Sequence, residues 1–201
     1  MRLRVRLLLL TVVALIVSGC ATPPPSNQSN LCSIFRQYPD WYEDAVDMQQ
    51  KWGTPINVVM AMMKQESSYR HDALPPKDYV LGFIPWGRVS SAYGYAQAQD
   101  PAWSDFQKQT GHGGSRSSFD DAIQFMGWYT NATQRQLGIS KWDAYGQYLA
   151  YHDGRGGYKR GTYRRKPWLM KVARKVEQQS KTYGWQLKQC RKELDDNKSW
   201  W

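Results

Sequence analysis

One acidic side chain closes an otherwise apolar stretch of the sequence. The segment "VVMAMMKQESSYR" runs from Val58 to Arg70, and its apolar part ends shortly before Glu66. If the segment is helical, Met62 and Met63 share a face with Glu66, because residues three and four apart are neighbours on a helix. Apolar surroundings disfavour an ionised carboxyl and raise its pKa, so that it can act as a general acid near neutral pH. The alternative is a helix-end glutamate that points into water, as isolated glutamates usually do.

No other pattern in the chain indicates a competing chemistry. The three histidines are scattered, no ligand spacing suggests a metal site, and no glycine-rich loop suits a phosphate. Four further acids have simpler explanations as turn or cap residues: Asp72, Asp78, Asp100 and Asp105. We therefore expect chemistry that rests on one carboxylate, without a metal or any other cofactor.

Helical signals dominate the chain around this stretch, and strand patterns hardly occur. Segments with helical spacing and helix-end residues begin near the following positions: Asp40, Thr54, Asp100, Ser118, Ser140 and Pro167. The stretches between them are rich in Gly, Pro and Ser, which is typical of loops. The sequence therefore predicts an all-α fold with long loops.

The N-terminal residues indicate export. Three arginines precede the apolar run "LLLLTVVALIV", and the following "VSGC" resembles the lipobox of bacterial lipoproteins. Eleven residues are too few for a membrane-spanning helix, which needs about 20. We expect a signal peptide at 1–19, lipidation of Cys20 and a flexible, disordered tether at 20–30, and Ala21 favours the outer membrane, facing the periplasm. The alternative is cleavage at another position, with Cys20 lost.

Two cysteines flank the rest of the chain. Residues 31–195 are long enough for one domain with a sizeable core, and 196–201 form a short C-terminal tail. Cys32 and Cys190 stand near the two ends of this domain and can pair in an oxidising compartment. In the chain-entropy model such a bridge stabilises by roughly 5 kcal/mol at most. The alternative is two free, buried thiols.

The charge of the chain indicates an acidic partner. Its 27 Lys and Arg against 17 Asp and Glu give a net charge of +10, or +7 without the three signal arginines. An exported lipoprotein does not meet nucleic acid, whereas the peptide stems of cell-wall peptidoglycan carry carboxylates. Ten Trp and thirteen Tyr can stack on sugar faces, although such rings also fill cores. We expect a monomer that binds peptidoglycan strands, and the membrane through its lipid anchor.

Three short segments occur in an order that is typical of one enzyme family. They are "ESSYR" from Glu66, "SAYGYAQAQDP" from Ser91 and "YLAYHDGRGG" from Tyr148. They resemble the Glu-Ser, Gly-x-x-Gln and Ala-Tyr-Asn-Ala-Gly motifs of lytic transglycosylases with a lysozyme-like SLT domain. The resemblance spans roughly residues 40–175, and it implies a lysozyme-like helical domain that cleaves peptidoglycan.

The resemblance also implies roles for individual residues. Glu66 is the catalytic acid, and Tyr151 orients Glu66 or the sugar near the scissile bond. Gln97 and either Ser90 or Ser91 hydrogen-bond the substrate. Three further residues are candidates for substrate contact: Gly94, Tyr95 and Trp86. For Gly94 the alternative is that it allows a left-handed turn.

The chain departs from the family pattern in three places. In the middle motif, Tyr95 and Ala96 stand where bulkier aliphatic residues are common. His152 and Asp153 stand where the third motif usually has Asn and Ala. The interval before Gly94 is longer than usual, and we interpret residues 74–89 as an inserted loop that shapes the groove. Its aromatic residues are then available to stack on sugars: Tyr79, Phe83 and Trp86.

The implied reaction is non-hydrolytic cleavage of the β-1,4 bond between N-acetylmuramic acid (MurNAc) and N-acetylglucosamine (GlcNAc). The C6 hydroxyl of MurNAc attacks its own anomeric carbon and forms a 1,6-anhydro end, so one carboxylate serves as acid and then as base. Two alternatives stay open. One is a hydrolytic muramidase of the same fold, which usually needs a second carboxylate. The other is a non-catalytic lipoprotein that binds the wall.

Overall fold

A computed structural model describes residues 22–81 and 83–197. Only the backbone is described for residues 79, 80, 84 and 85. The predicted signal peptide and the predicted lipidation site, Cys20, lie outside the described residues.

The described part of the chain is helical apart from one hairpin. Its α-helices are α1 (Leu31–Gln37), α2 (Pro39–Trp52), α3 (Ile56–Ser67), α4 (Asp100–Thr110), α5 (Phe119–Leu137), α6 (Ala144–His152), α7 (Gly154–Arg160) and α8 (Pro167–Asp196). A 3-10 turn, Thr162–Arg165, joins α7 to α8. None of these helices is both long and apolar enough to cross a bilayer. The all-α, lysozyme-like class expected from the sequence is confirmed.

Helix α3 forms the centre of the domain. Its residues 58–63 are all buried, because α8 packs along it and α2, α5 and α6 contact it from other sides. A helix that is apolar on every side is stable only in such a position. Glu66 therefore reaches the site from the C-terminal end of a fully packed helix.

Helices α2 and α5 pack closely through aromatic rings and one glycine. The rings of Trp41 and Phe119 stack in parallel, with their centroids 4.0 Å apart. A Cβ atom on Gly127 would lie 2.6 Å from the Trp52 ring and 2.7 Å from Met48. The absent side chain thus allows the two helices to approach each other.

A disulfide joins the two ends of the domain. Cys32 in α1 is bonded to Cys190 in α8, with a Cα–Cα distance of 6.1 Å and 158 positions between them in sequence. The structure therefore contains the bridge that the sequence predicts, and the alternative of two free thiols does not hold.

Residues 22–30, which the sequence assigns to a tether, lie against the domain. The Tyr38 hydroxyl donates to the Pro23 carbonyl oxygen at 2.7 Å, and the Gln28 side chain donates to the Ser68 carbonyl at 3.1 Å. Hydrogen bonds hold this segment although it has little apolar surface to bury. The folded part of the chain therefore begins earlier than residue 31.

The inserted segment 74–89 is a β-hairpin rather than an irregular loop. Strands β1 (Lys77–Val80) and β2 (Ile84–Arg88) pair in antiparallel register, with one irregularity. The Arg88 guanidinium donates to the Pro75 carbonyl at 2.7 Å and closes the base of the hairpin. Its large exposed apolar side chains are Leu74, Leu81, Phe83, Trp86 and Val89.

Candidate active site

The carboxyl group of Glu66 lies at the end of α3, on a side chain that is partly buried. Its Oε1 atom has no access to solvent and no hydrogen-bond partner among the described residues. Burial raises the pKa of Glu66 to about 7, and a hydrogen bond from the Tyr148 hydroxyl lowers it in part. Protonated and ionised forms are therefore present together near neutral pH, as general acid and base catalysis requires.

The backbone reverses sharply just after Glu66. Ser68 and Tyr69 have φ values of 53° and 58°, in the left-handed region that non-glycine residues seldom adopt. Tyr69 is fully buried, and its hydroxyl donates to the Met60 carbonyl at 2.9 Å and meets the Tyr183 hydroxyl at 3.0 Å. These contacts hold the reversal and fix the position from which Glu66 projects.

Helix α6 brings two tyrosine hydroxyls to the site, one helical turn apart. The Tyr148 hydroxyl contacts Glu66 as described, and the Tyr151 hydroxyl donates to the Ala96 carbonyl oxygen at 2.5 Å. Burial and then the charge of Glu66 raise the pKa of Tyr151. The resemblance has Tyr151 orient either Glu66 or the sugar, and the hydroxyl that lowers the pKa of Glu66 is that of Tyr148.

The turn at residues 94–97 is held by close backbone approaches. Gly94 has a φ of 72°, and a Cβ atom there would lie 2.0 Å from the Arg116 carbonyl oxygen. The Gly94 amide and the Gln97 Nε2 atom donate to the same acceptor, the Ala73 carbonyl, at 2.9 and 2.8 Å. Gly94 is therefore needed for a left-handed turn packed against protein backbone, the second of its two expected roles, and it is buried rather than open to a substrate.

Arg116, which the sequence did not single out, clamps the chain around this turn. Its guanidinium donates to the carbonyls of Ser91 and Ala98 at 2.9 and 2.8 Å, and it pairs with Asp100 at 2.8 Å. No motif marks Arg116, because its partners are mostly backbone atoms.

Two predicted serines lie in the same segment. The Ser91 hydroxyl oxygen accepts from the Asp100 amide at 3.0 Å and helps to begin α4. The Ser90 hydroxyl oxygen accepts from the Ala92 amide at 3.4 Å. Both oxygens serve the local backbone, which leaves each hydroxyl hydrogen free to donate elsewhere.

Tyr95 belongs to the core and not to a binding surface. It is 2% exposed, and its ring lies perpendicular to Trp41 and Phe119 at centroid distances of 5.6 and 5.7 Å. Burial raises its pKa to about 12. The prediction of a substrate contact is wrong for Tyr95, because its ring completes the aromatic layer between α2 and α5.

The predicted aromatic contacts of the insertion are only partly described. Trp86 and Phe83 are 74% and 72% exposed, so their rings are available to a ligand. The side chain of Tyr79 lies outside the described residues.

A cavity of about 320 Å³, termed the cleft below, opens between the turn and α6. It is lined by residues 97–99, Pro101 and Ala102, by Phe125 and Tyr129 of α5, and by residues 151–154. Glu66 is not part of this lining. Tyr151 connects the two, because it lines the cleft and the charge of Glu66 raises its pKa. The arrangement can place a ligand in the cleft next to one partly buried acid.

Comparison with known proteins assigns the chain to a family. The family model described as Transglycosylase SLT domain matches residues 8–190, nearly the whole chain. The chain belongs to the transglycosylase SLT domain family. No curated protein and no solved structure matches it at a significant level. Membership supports degradation of peptidoglycan glycan strands in the cell envelope by an enzyme of the lytic transglycosylase type.

Asp153, which follows α6, is held by two neighbouring side chains. Its side chain is 3% exposed, and it accepts hydrogen bonds from Lys166 and from the Thr162 hydroxyl. Burial works against ionisation of Asp153, but Lys166 and Thr162 outweigh it and lower the pKa. Asp153 therefore joins the end of α6 to the start of α8 and stays ionised.

His152 lies next to Asp153 in the third motif. Burial and then the charge of Lys166 lower the pKa of His152, whose ring packs against Trp168 at 5.2 Å. Within residues 22–81 and 83–197, no group of three His, Cys, Asp or Glu side chains could hold a metal ion. Tyr148 could have been found from the sequence, because it begins the third motif and stands three residues before Tyr151 on one helix face.

Proposed function

We propose that this SLT-family protein is a lytic transglycosylase that cleaves the MurNAc–GlcNAc β-1,4 bond and leaves 1,6-anhydro-MurNAc ends. One observation carries the proposal. The pKa of Glu66 is raised by burial, and no second carboxylate among the described residues contributes to it. A single carboxyl with a pKa near 7 suits a reaction in which the same group gives and then takes a proton.

Glu66 alone carries out both proton transfers of the proposed reaction. Protonated Glu66 gives its proton to the glycosidic oxygen as the bond from that oxygen to C1 of MurNAc breaks. The C6 hydroxyl of the same sugar then forms a bond to C1, and its proton passes to the Glu66 carboxylate. No water is consumed, and the acid is regenerated. The attacking hydroxyl belongs to the same sugar, so its effective concentration is very high.

Asp153 does not supply the second carboxylate that a hydrolase would use. In hydrolases of this kind the two carboxyls stand about 5–5.5 Å or about 6.5–9.5 Å apart, on opposite sides of the scissile bond. Asp153 lines the cleft, but Lys166 and Thr162 already occupy its carboxylate. This supports the transglycosylase over the hydrolytic muramidase.

We assign substrate contacts to the groups that the fold leaves available at the cleft. The Gln97 amide nitrogen donates to two backbone carbonyls, those of Ala73 and Gly94, so its amide oxygen can accept from a sugar hydroxyl or an acetamido N–H. The Tyr151 ring forms part of the wall and can contact the sugar face. The hydroxyl hydrogens of Ser90 and Ser91 can donate to the strand.

Mass spectrometry of products from purified sacculi tests the proposed reaction. We expect anhydro ends, which are one water lighter than reducing ends, and no products from Glu66→Gln. The matched control is Asp72→Asn, which removes an exposed carboxylate near the site and should leave cleavage intact. Reducing ends would show a hydrolase instead. Absence of any product from the unmodified protein, with sacculus binding retained, would show a binding protein.

We also infer that Cys20 carries a lipid that holds the protein at the outer membrane. Pro23, which is hydrogen-bonded to the domain, follows Cys20 by only three positions. Because each residue spans at most about 3.6 Å, the domain would lie within about 11 Å of the anchored cysteine. Labelling with a radioactive fatty acid tests this in the intact protein and in Cys20→Ala. Equal label in both proteins would exclude Cys20.

A further inference from the structure

A second cavity lies beside the cleft at the far end of α7. It has a volume of about 450 Å³ and is lined by the C-terminal end of α5 and by five residues with aromatic or cationic side chains: Tyr158, Lys159, Arg160, Tyr163 and Arg164. We call this cavity the basic groove. Nothing in the reaction described above uses it.

The basic groove lies in the most cationic part of the chain. Between Arg155 and Lys175 the sequence has nine Lys and Arg and no Asp or Glu. Lys166 pairs with Asp153, whereas the three cations of the groove, Lys159, Arg160 and Arg164, form no ion pair with any residue that the structure describes. Their charge is therefore available to an external anion.

Asp143 is the acid that influences the basic groove, and its carboxylate already has a hydrogen-bond partner. Asp143 raises the pKa of Tyr158, after burial and the neighbouring Tyr163. However, the Asp143 carboxylate accepts from the Gly146 amide at 2.9 Å as the N-cap of α6. Among the described residues it forms no ion pair with the three cations of the groove.

Helix α7 connects the basic groove with the cleft. Gly154 at its start lines the cleft, and Tyr158, Lys159 and Arg160 at its end line the groove. A helix of seven residues is about 10 Å long. A strand bound in the cleft is thus within reach of the groove through any side branch of a few residues.

Aromatic rings give the groove flat walls beside its charges. Tyr158 and Tyr163 stack with their centroids 5.0 Å apart and an angle of 20° between the rings. The Arg164 guanidinium lies 5.9 Å from the centre of the Tyr163 ring. Arginine next to a flat ring is suited to hold a carboxylate in a defined orientation.

We propose that the basic groove binds the carboxylates of the peptide stems on the glycan strand that occupies the cleft. The proposal rests on the proposed function, because it takes peptidoglycan as the polymer in the cleft. Its consequence is selectivity: the enzyme prefers strands whose stems carry free carboxylates. Anionic lipid is a different ligand for the same charges, but a concave groove with tyrosine walls suits a peptide branch better than a flat bilayer.

Binding to uncut strands tests the groove without depending on the products of cleavage. The protein carries Glu66→Gln so that the strands stay intact, and the probes are soluble glycan chains of one length with free or with amidated stem carboxylates. We expect about tenfold tighter binding of the free-carboxylate chains at low salt, since three ion pairs near a surface contribute modestly and salt screens them. Lys159→Gln, Arg160→Gln and Arg164→Gln combined should reduce this ratio below about twofold.

The matched control removes three exposed cations elsewhere, with Lys181→Gln, Lys188→Gln and Lys192→Gln combined, and should keep the tenfold ratio. Circular dichroism and thermal unfolding verify that both triple variants are folded. A ratio that persists in the groove variant, or that is absent from the parent, would overturn the proposal.

Vesicles of anionic phospholipid form a third arm of the experiment. Loss of vesicle binding in the groove variant with the ratio unchanged would assign these cations to lipid. Because cleavage is not measured, reducing ends on the products would overturn the proposed reaction and leave this result standing.

Discussion

The Tyr148 hydroxyl acts on the Glu66 carboxyl against burial, because its hydrogen bonding lowers the pKa that burial raises. Without it the carboxyl would be a weaker acid toward the leaving oxygen of the glycosidic bond. Two opposite influences therefore hold the acid near pH 7, where it can work in both directions.

Replacing Tyr148 with Phe should move the alkaline limb of the pH profile upward. The ring stays in place and only the donor is lost, so the pKa of Glu66 should rise further. We expect the rate to fall near pH 7 and to persist to higher pH than in the unmodified protein. Rates of sacculus digestion between pH 5 and 9 measure this. A limb that stays in place or moves downward would show that Tyr148 does not set the acidity of Glu66.

Tyr151→Phe should behave differently, because the Tyr151 hydroxyl bonds to the Ala96 carbonyl and not to Glu66. The loss leaves a partly buried acceptor unpaired, which costs about 1–2 kcal/mol of unfolding free energy. The rate should also fall, since the turn that carries Gln97 loosens, while the alkaline limb keeps its pH. Urea unfolding and the pH profile together separate the two tyrosines. A shifted limb without loss of stability would contradict this division.

Glu66→Gln should make the protein more stable above neutral pH. Because the pKa of Glu66 is about 7 in the folded state against 4.5 in the unfolded chain, the folded state holds the proton more tightly. The stability of the unmodified protein therefore falls as the pH rises from 4.5 to 7, and the penalty is complete above that range. The uncharged glutamine avoids it, so we expect a gain of about 2–3 kcal/mol at pH 8 relative to pH 4. Urea unfolding at both pH values checks this, and an equal difference at the two would refute it.

Gly94→Ala should destabilise the domain much more than Gly138→Ala. Both glycines have a φ of 72°, but the added methyl group meets nothing within 4 Å at Gly138 and lies 2.0 Å from the Arg116 carbonyl oxygen at Gly94. The backbone strain alone costs about 1–2 kcal/mol. We therefore expect roughly that loss at Gly138 and at least about 3 kcal/mol at Gly94. Equal midpoints in urea would show that the turn can shift to accept the methyl group.

The hairpin should influence where strands are cut. Phe83→Ser combined with Trp86→Ser removes two exposed rings without disturbing the core, and the matched control is Trp142→Ser combined with Trp185→Ser, whose rings are 69% and 66% exposed. If the hairpin forms a wall of the substrate-binding site, only the first pair of substitutions changes the distribution of anhydro-product lengths. Chromatography of sacculus digests compares them. An unchanged ladder with unchanged affinity would place residues 74–89 away from the substrate.

The sequence predicts most where local signals agree with packing. The apolar run ahead of Glu66 predicted both a buried helix and an acid at its end, and α3 has both. The start of that helix was less well predicted. Thr54 was expected near its first turn, but Pro55 is the N-cap, and the Thr54 hydroxyl meets that of Thr130 at 2.8 Å. A partner 76 positions away leaves no trace in a local pattern.

Other differences have the same physical origin. The strands of the hairpin are short, and one of them contains Pro85, so alternation could not mark them. The aromatic character of Tyr95 fits a sugar surface and a core equally well, and only the positions of Trp41 and Phe119 decide between them. The family resemblance found Tyr151, but the direction of its hydroxyl depends on how the 94–97 turn meets α6.

The disulfide between Cys32 and Cys190 also determines how the domain would carry mechanical load. A pull on the N-terminal end of the folded part enters α1 and passes through a covalent bond into α8, which packs against α3 and α6. The force then runs along a helix of 30 residues, about 45 Å long. The turn at residues 94–97 and the hairpin lie outside this path. An enzyme that is fixed at one end and gripping a rigid polymer at the other could thus be stretched without drawing its catalytic groups apart.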